Sequence, residues 1–141
     1  MNPATATGSM SLITRLSRLV FRRATEEVLG MRLKQLIALD YLREHQGTPQ
    51  KALGQSLMLD PNNCVILLND LDVHGYIERR RDTEDRRRHL VEITPAGLRA
   101  LEKAEARMED LEDEVLRNLD KAERTELHGL LVKALAGQDL S

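Results

Sequence analysis

The chain has 141 residues, 41% hydrophobic but only 2% aromatic, and a formal net charge of −2. That is one domain's worth of core, which excludes wholesale disorder, and without tryptophan the core must come from Leu, Ile, Val and Ala. A single cysteine excludes an intrachain disulfide and fits a reducing cytoplasm, and no apolar run is long enough to cross a bilayer.

In chain order, residues 1–10, MNPATATGSM, lack the basic start and apolar stretch of a signal peptide and read as a disordered tail. Residues 11–29 place Leu12, Leu16, Leu19 or Val20, Ala24 and Val28 at helical spacing, with Ser11 as N-cap. Arg15, Arg18 and Arg22 share the opposite face. A second helix is expected over 32–45, around Leu33, Leu36, Ile37 and Leu42. Two start signals follow. Thr48-Pro49 and Asp60-Pro61 each offer a capping side chain and then a proline at the first helical position, where the missing N–H costs nothing. Between them lie Ala52, Leu53 and Leu57; after them Cys64, Leu67, Leu68 and Leu71 keep helical period up to His74-Gly75. Two short helices joined by a tight turn make a helix-turn-helix, whose second helix can enter a DNA major groove.

Residues 76–81 and 89–93 read as two strands joined by an arginine-rich loop. Residues 76–90 hold six arginines against four acids, whereas residues 102–126 hold ten acids against five bases. Such zoning turns a basic face toward a polyanion and an acidic face away from it. Thr94-Pro95 then opens a helix expected over 95–119. Its Leu101, Ala104, Met108, Leu111 and Val115 step 3-4-3-4, a heptad seam. At roughly 35 Å that helix is expected to outreach so small a domain and to meet a partner subunit. A last amphipathic helix is expected over 122–136. The fold class is therefore mainly α with a small β-hairpin, a winged helix-turn-helix with long terminal helices.

Residues 33–101, from "LKQLIALDYL" through "DRRRHLVEITPAGLRAL", resemble the multiple-antibiotic-resistance regulator (MarR) family of bacterial transcription factors. Asp85-Arg86-Arg87 and Ile93-Thr94-Pro95-Ala96-Gly97 match that family's wing and wing exit, and "LDVHGYIERR" matches the exit from its recognition helix. The resemblance implies a homodimer clasped by its terminal helices, a pseudo-palindromic double-stranded DNA operator, and frequently a small-molecule effector that releases a repressor. It divides the chain into a dimerisation helix over 11–31, a DNA-binding region over 32–97 and further dimerisation helices over 98–141. Arg87 occupies the groove-entering position of the wing. Asp85 is placed to orient it by a bidentate pair, leaving Arg86 and Arg88 for phosphates.

The recognition helix departs from the family, with Val65 and Ile66 where relatives commonly place Ser or Thr and then Arg. Its free face is expected to hold Asn62, Asn63, Val65, Ile66 and Asn69, which favours an A·T-rich half-site, since Asn pairs with adenine and aliphatic groups touch the thymine methyl; the competing reading is that Val65 and Ile66 are partly buried and DNA is read mainly through phosphates. Arg15, backed by Arg18 and Arg22, is the candidate for holding the carboxylate of an aromatic acid; the competing reading is a solvated face or an intersubunit ion pair. Cys64 falls on the core side and reads as a small buried hydrophobe rather than a redox switch. The four histidines lack ligand spacing, so neither metal nor cofactor is expected, and no motif of an enzyme occurs. A winged helix that docks proteins instead of DNA is the alternative of different class, but it gives no reason for six arginines around one hairpin.

Overall fold

In the computed structural model, which describes residues 8–138, the chain runs α1 (Ser9–Arg23), α2 (Glu26–Leu29), α3 (Leu33–Glu44), β1 (Thr48–Pro49), α4 (Gln50–Ser56), α5 (Pro61–Val73), β2 (Ile77–Arg81), β3 (His89–Ile93), α6 (Pro95–Val115) and α7 (Lys121–Leu135). This is a winged helix-turn-helix with long terminal helices, as expected. Of the tail expected over 1–10, residues 1–7 lie outside the described residues. Helix α1 begins at Ser9, so Ser11 stands inside it and not at the cap.

The expected single helix over 11–29 is broken at Ala24. Thr25 takes an extended conformation and its hydroxyl accepts the Val28 N–H at 3.4 Å, starting α2 afresh. The break turns Ala24 and Leu29 inward, where both are buried with Leu111. Periodicity alone does not register it, because the apolar positions on either side stay in phase.

Sheet order is β1-β3-β2, antiparallel throughout. The third strand corrects the reading of Thr48-Pro49 as a helix start. Thr48 pairs with Val91 and Pro49 with Leu90, and the Thr48 hydroxyl donates to the His45 carbonyl instead of capping α4. Two residues are too short a strand for alternation to show. The other two starts behave as expected: the Asp60 carboxylate accepts the Asn63 N–H at 2.8 Å, and the Thr94 hydroxyl accepts the Gly97 N–H at 3.0 Å.

One aliphatic core joins α3, α4, α5, the sheet and the first half of α6. Leu39, Leu42, Leu53, Leu68, Leu71 and Val91 are fully buried in it. The recognition helix α5 is seated by Cys64, Leu67, Leu68 and Leu71 on one side only. A buried polar tie also holds it to the start of α3: the Gln35 amide donates to Asp70 at 2.8 Å and its oxygen accepts the Arg32 N–H at 2.9 Å, while the Arg32 guanidinium pairs with Asp70. At the wing exit, a Cβ on Gly97 would lie 2.1 Å from the Tyr76 carbonyl oxygen, so only glycine lets α6 start this close to the sheet.

The seam of α6 corrects another expectation. Leu101 and Ala104 are fully buried in the winged-helix core and Leu111 packs on Ala24 and Leu29, so these seam positions are consumed within the protomer. Exposed apolar side chains cluster on α1 (Leu12, Ile13, Phe21) and α7 (Leu130, Leu131, Leu135), with others on α5 and scattered singly elsewhere. Neither of those helices buries a single residue. No described helix is long and apolar enough to cross a membrane.

Candidate nucleic-acid interface

The exposed stripe of α5 follows from what the core takes. With Cys64, Leu67, Leu68 and Leu71 turned inward, Asn62, Val65, Ile66 and Asn69 are left facing out on the other side, Val65 at 41% and Ile66 at 54% exposure. The aliphatic pair is therefore available for contact and is not absorbed by the core. The asparagines are not equivalent. Asn62 makes no side-chain hydrogen bond among the described residues, whereas Asn63 donates to the capping Asp60 at 2.8 Å and Asn69 accepts from Arg79 at 3.0 Å.

In the wing, every arginine but Arg86 has a partner of its own. Asp82, only 6% exposed, organises the turn: it accepts the Glu84 N–H at 2.9 Å and the Arg88 guanidinium at 2.7 and 3.2 Å. These contacts hold its carboxyl below the usual range, the backbone N–H of Glu84 contributing most and Arg88 next. Arg88 is thereby tied to the turn through Nε and Nη2, while its side chain stays 52% exposed. Arg80 is spent on Glu92 and Arg79 on Asp72. Arg81 donates to the Arg86 carbonyl at 3.2 Å.

Two arginines remain aimed outward. Arg86 makes no ion pair among the described residues, and Arg87, with its side chain 91% exposed, is gripped at its base by Asp85. Asp85 accepts the Arg87 Nε at 3.1 Å, its Nη2 at 3.4 Å and its backbone N–H at 3.1 Å. The guanidinium first and then that N–H lower the Asp85 carboxyl pKa. A charged group is thus pointed at solvent with its direction already chosen.

Between the wing, α4 and the start of α5 lies a groove of about 620 Å³, lined by Lys51, Gln55, Val65, Arg87 and His89 among others. Lys51, Gln55 and His89 were not singled out from sequence, since lone polar residues on a short helix or strand end carry no pattern. Arg79 and Asp82 were missed for the same reason. The one available signal is that residue 79 alternates onto the face of Ile77, where an arginine needs a partner. Cys64 borders this groove yet is buried beside Gly54, and burial pushes its thiol pKa up. A raised pKa disfavours the reactive thiolate.

Of the candidate effector arginines, Arg15 and Arg18 are exposed on α1 and line neither cavity on that side of the molecule. An apolar cavity of about 480 Å³ opens between α1, α6 and α7, lined by Leu16, Val20, Met108, Val115, Leu127 and His128 among others. Arg22 instead borders a neighbouring one of about 510 Å³ with Arg23, Arg107, Asp110 and Glu114. Leu111 lines both.

Comparison with known proteins agrees with this architecture. Residues 29–88 match the model of the MarR family. The chain is 30% identical over 104 residues to the HTH-type transcriptional regulator BilQ of Clostridium symbiosum, covering 74% of this chain and 72% of that protein. It is 34% identical over 101 residues to a putative transcriptional regulatory protein for the hcr operon of Thauera aromatica, covering 72% of this chain and 60% of that one. The crystal structure of wild-type MarR from E. coli in its apo form superposes with a TM-score of 0.80 at 26% identity, over 92% of this chain and 98% of that one. The shared winged helix and the extent of these matches place the chain in the MarR family of transcriptional regulators.

Proposed function

We propose that the chain acts as a homodimeric repressor that grips a pseudo-palindromic operator, with α5 in the major groove and the β2–β3 wing in the minor groove of each half-site, and that a small aromatic acid releases it. The observation that carries the DNA reading is Arg87, almost wholly exposed yet fixed in direction by Asp85. A narrow minor groove concentrates negative potential and attracts an arginine without base contacts, and one already oriented loses less freedom on binding. Arg86 reaches phosphates beside it. Asn62, Val65 and Ile66 are the uncommitted readers on α5, supported by Asn63 and Asn69; the aliphatic pair suits thymine methyls. On this reading residues 32–97 bind DNA, and residues 11–31 and 98–141 build the dimer.

The dimer rests on the apolar side chains that α1 and α7 leave in water, a patch a lone soluble protomer rarely shows. The effector reading rests on the two cavities sharing Leu111, whose sizes suit a small ligand. The apolar one would take the ring. Arg22, which has no ion pair among the described residues, would take the carboxylate. Arg15 and Arg18 are then left for contacts across the dimer.

The test is fluorescence anisotropy on an operator selected from a random duplex library and on a scrambled duplex, across a salt series. Arg87→Ala is expected to weaken operator binding by about 1–3 kcal/mol per half-site, by analogy with specific base contacts, and to lose preference for A·T pairs beneath the wing. Arg86→Ala is expected to weaken both duplexes alike and to flatten the log–log salt slope by ~0.9 per protomer. Operator binding by Arg87→Ala equal to wild type would overturn the wing reading.

A further inference from the structure

We propose that Arg79 is a positioning residue that turns Asn69 into a hydrogen-bond donor for a guanine edge in the major groove; this deepens the operator-binding reading above and rests on it. Asn69 closes the exposed stripe of α5, two turns after Asn62 and opposite the buried Leu67 and Leu71. Its side-chain oxygen accepts from the Arg79 Nη2 at 3.0 Å. The same Nη2 is 2.9 Å from the Asp72 carboxylate, so a residue one turn further along α5 pins the guanidinium that pins the amide. Arg79 itself comes from β2, opposite the buried Val91, and this anchors the chain of contacts in the sheet.

The chemistry of the partner decides which way the amide faces. A guanidinium has donors and no acceptor, so the asparagine oxygen must point toward it and the nitrogen away. That nitrogen makes no hydrogen bond among the described residues. Asn63 is the counter-example on the same helix, because its nitrogen is the atom engaged, by Asp60, which leaves its oxygen outward. Two asparagines six residues apart are thus held with opposite polarity by partners outside the groove.

The major-groove edge of guanine offers two acceptors, N7 and O6, to a single donating nitrogen; adenine replaces one of them with an N–H donor and is best met by an amide that also accepts. An amide whose oxygen is drawn toward a cation is the poorer partner for adenine. The position beneath Asn69 therefore departs from the A·T preference expected of a free asparagine.

The experiment uses the full chain on the selected operator. The position read by residue 69 is the one whose base preference disappears in Asn69→Ala. Wild type is expected to prefer guanine over adenine there on the order of tenfold. It is expected to lose that margin when 7-deazaguanine or 2-aminopurine replaces the guanine. Arg79→Leu is expected to narrow the guanine-to-adenine ratio toward one while leaving other positions unchanged, a result that general loss of structure would not give. Asn69→Asp, which keeps a partner for Arg79 but has no N–H to give, is expected to lose the guanine preference, and it carries the test with the base analogues if Arg79→Leu does not fold. A base profile unchanged in Asn69→Ala, or an adenine preference there that Arg79→Leu leaves alone, would overturn this inference and leave operator binding standing. Equal affinity of wild type for every duplex would instead overturn operator binding itself.

Discussion

The winged-helix body and the terminal arms obey different rules of stability. The body closes its own core: Leu39, Leu68, Leu71 and Leu101 have no exposed surface, and its buried Gln35 has a partner at both its oxygen and its nitrogen. The arms bury nothing on their own helices and leave Ile13, Phe21, Leu130 and Leu131 in solvent. One half is thus complete in a single chain, whereas the other leaves its apolar faces in water. The lesson is that amphipathic pattern shows that a helix has an apolar face but not which molecule covers it.

The sharpest way to break this comparison is in the body's core. Leu68→Ala is expected to cost about 2–5 kcal/mol, read as a lower denaturation midpoint, because the site is enclosed on every side. Leu111→Asp is expected to act in the same class by unfolding the α2–α6 contact, since Leu111 is packed inside the protomer. On the arms, Leu131→Asp is expected to convert dimer to monomer in light scattering while circular dichroism stays that of a folded body. A stable wild-type monomer at micromolar concentration would erase the distinction between the halves.

Smaller effects are expected in the wing, where the body is held by polar contacts rather than apolar ones. Arg88→Ala is expected to disorder residues 82–88 in amide exchange, because it removes the guanidinium that holds Asp82. Asp85→Ala is expected to give a milder form of the Arg87→Ala defect in anisotropy, since the arginine stays but loses its orienting partner.

The smallest effect is one of pH. Asp85 has its folded pKa depressed, mainly by Arg87, so its contribution is present above the unfolded value near ~3.9 and is lost as pH falls through the lowered folded one. Carboxyl NMR is expected to show the Asp85 midpoint below the ordinary range in wild type and returning upward in Arg87→Ala. An unchanged midpoint would mean that Arg87 does not hold Asp85 in solution.

How far the sequence carried depends on whether a feature is periodic or pairwise. The recognition helix was legible because Cys64, Leu67, Leu68 and Leu71 repeat, and its start because Asp60-Pro61 is a local signal. The Asp85–Arg87 pair was legible because its partners are two residues apart. Arg79 with Asn69 was not, since ten residues and a change from helix to strand separate them. Asp82 with Arg88 was hidden by abundance, for four acids and six arginines in one hairpin admit many pairings. The break at Ala24 and the strand at Thr48-Pro49 were lost because one preserves helical phase and the other is too short to have any. The seam of α6 was legible but its cover was not: Leu101, Ala104 and Leu111 are buried within the protomer, and a 3-4 repeat is the same whether it meets its own chain or another.

The sheet's two borders have a consequence for solubility. A three-stranded sheet has two rims where unpaired N–H and C=O groups could recruit a neighbouring molecule and seed aggregates. On one rim β1 is only two residues long, and Pro49 has no N–H to offer. On the other, β2 is lined by the long charged side chains of Glu78, Arg79, Arg80 and Arg81, Arg79 and Arg80 already paired with Asp72 and Glu92. A short rim with proline and a rim of long charged side chains both discourage strand addition between crowded copies.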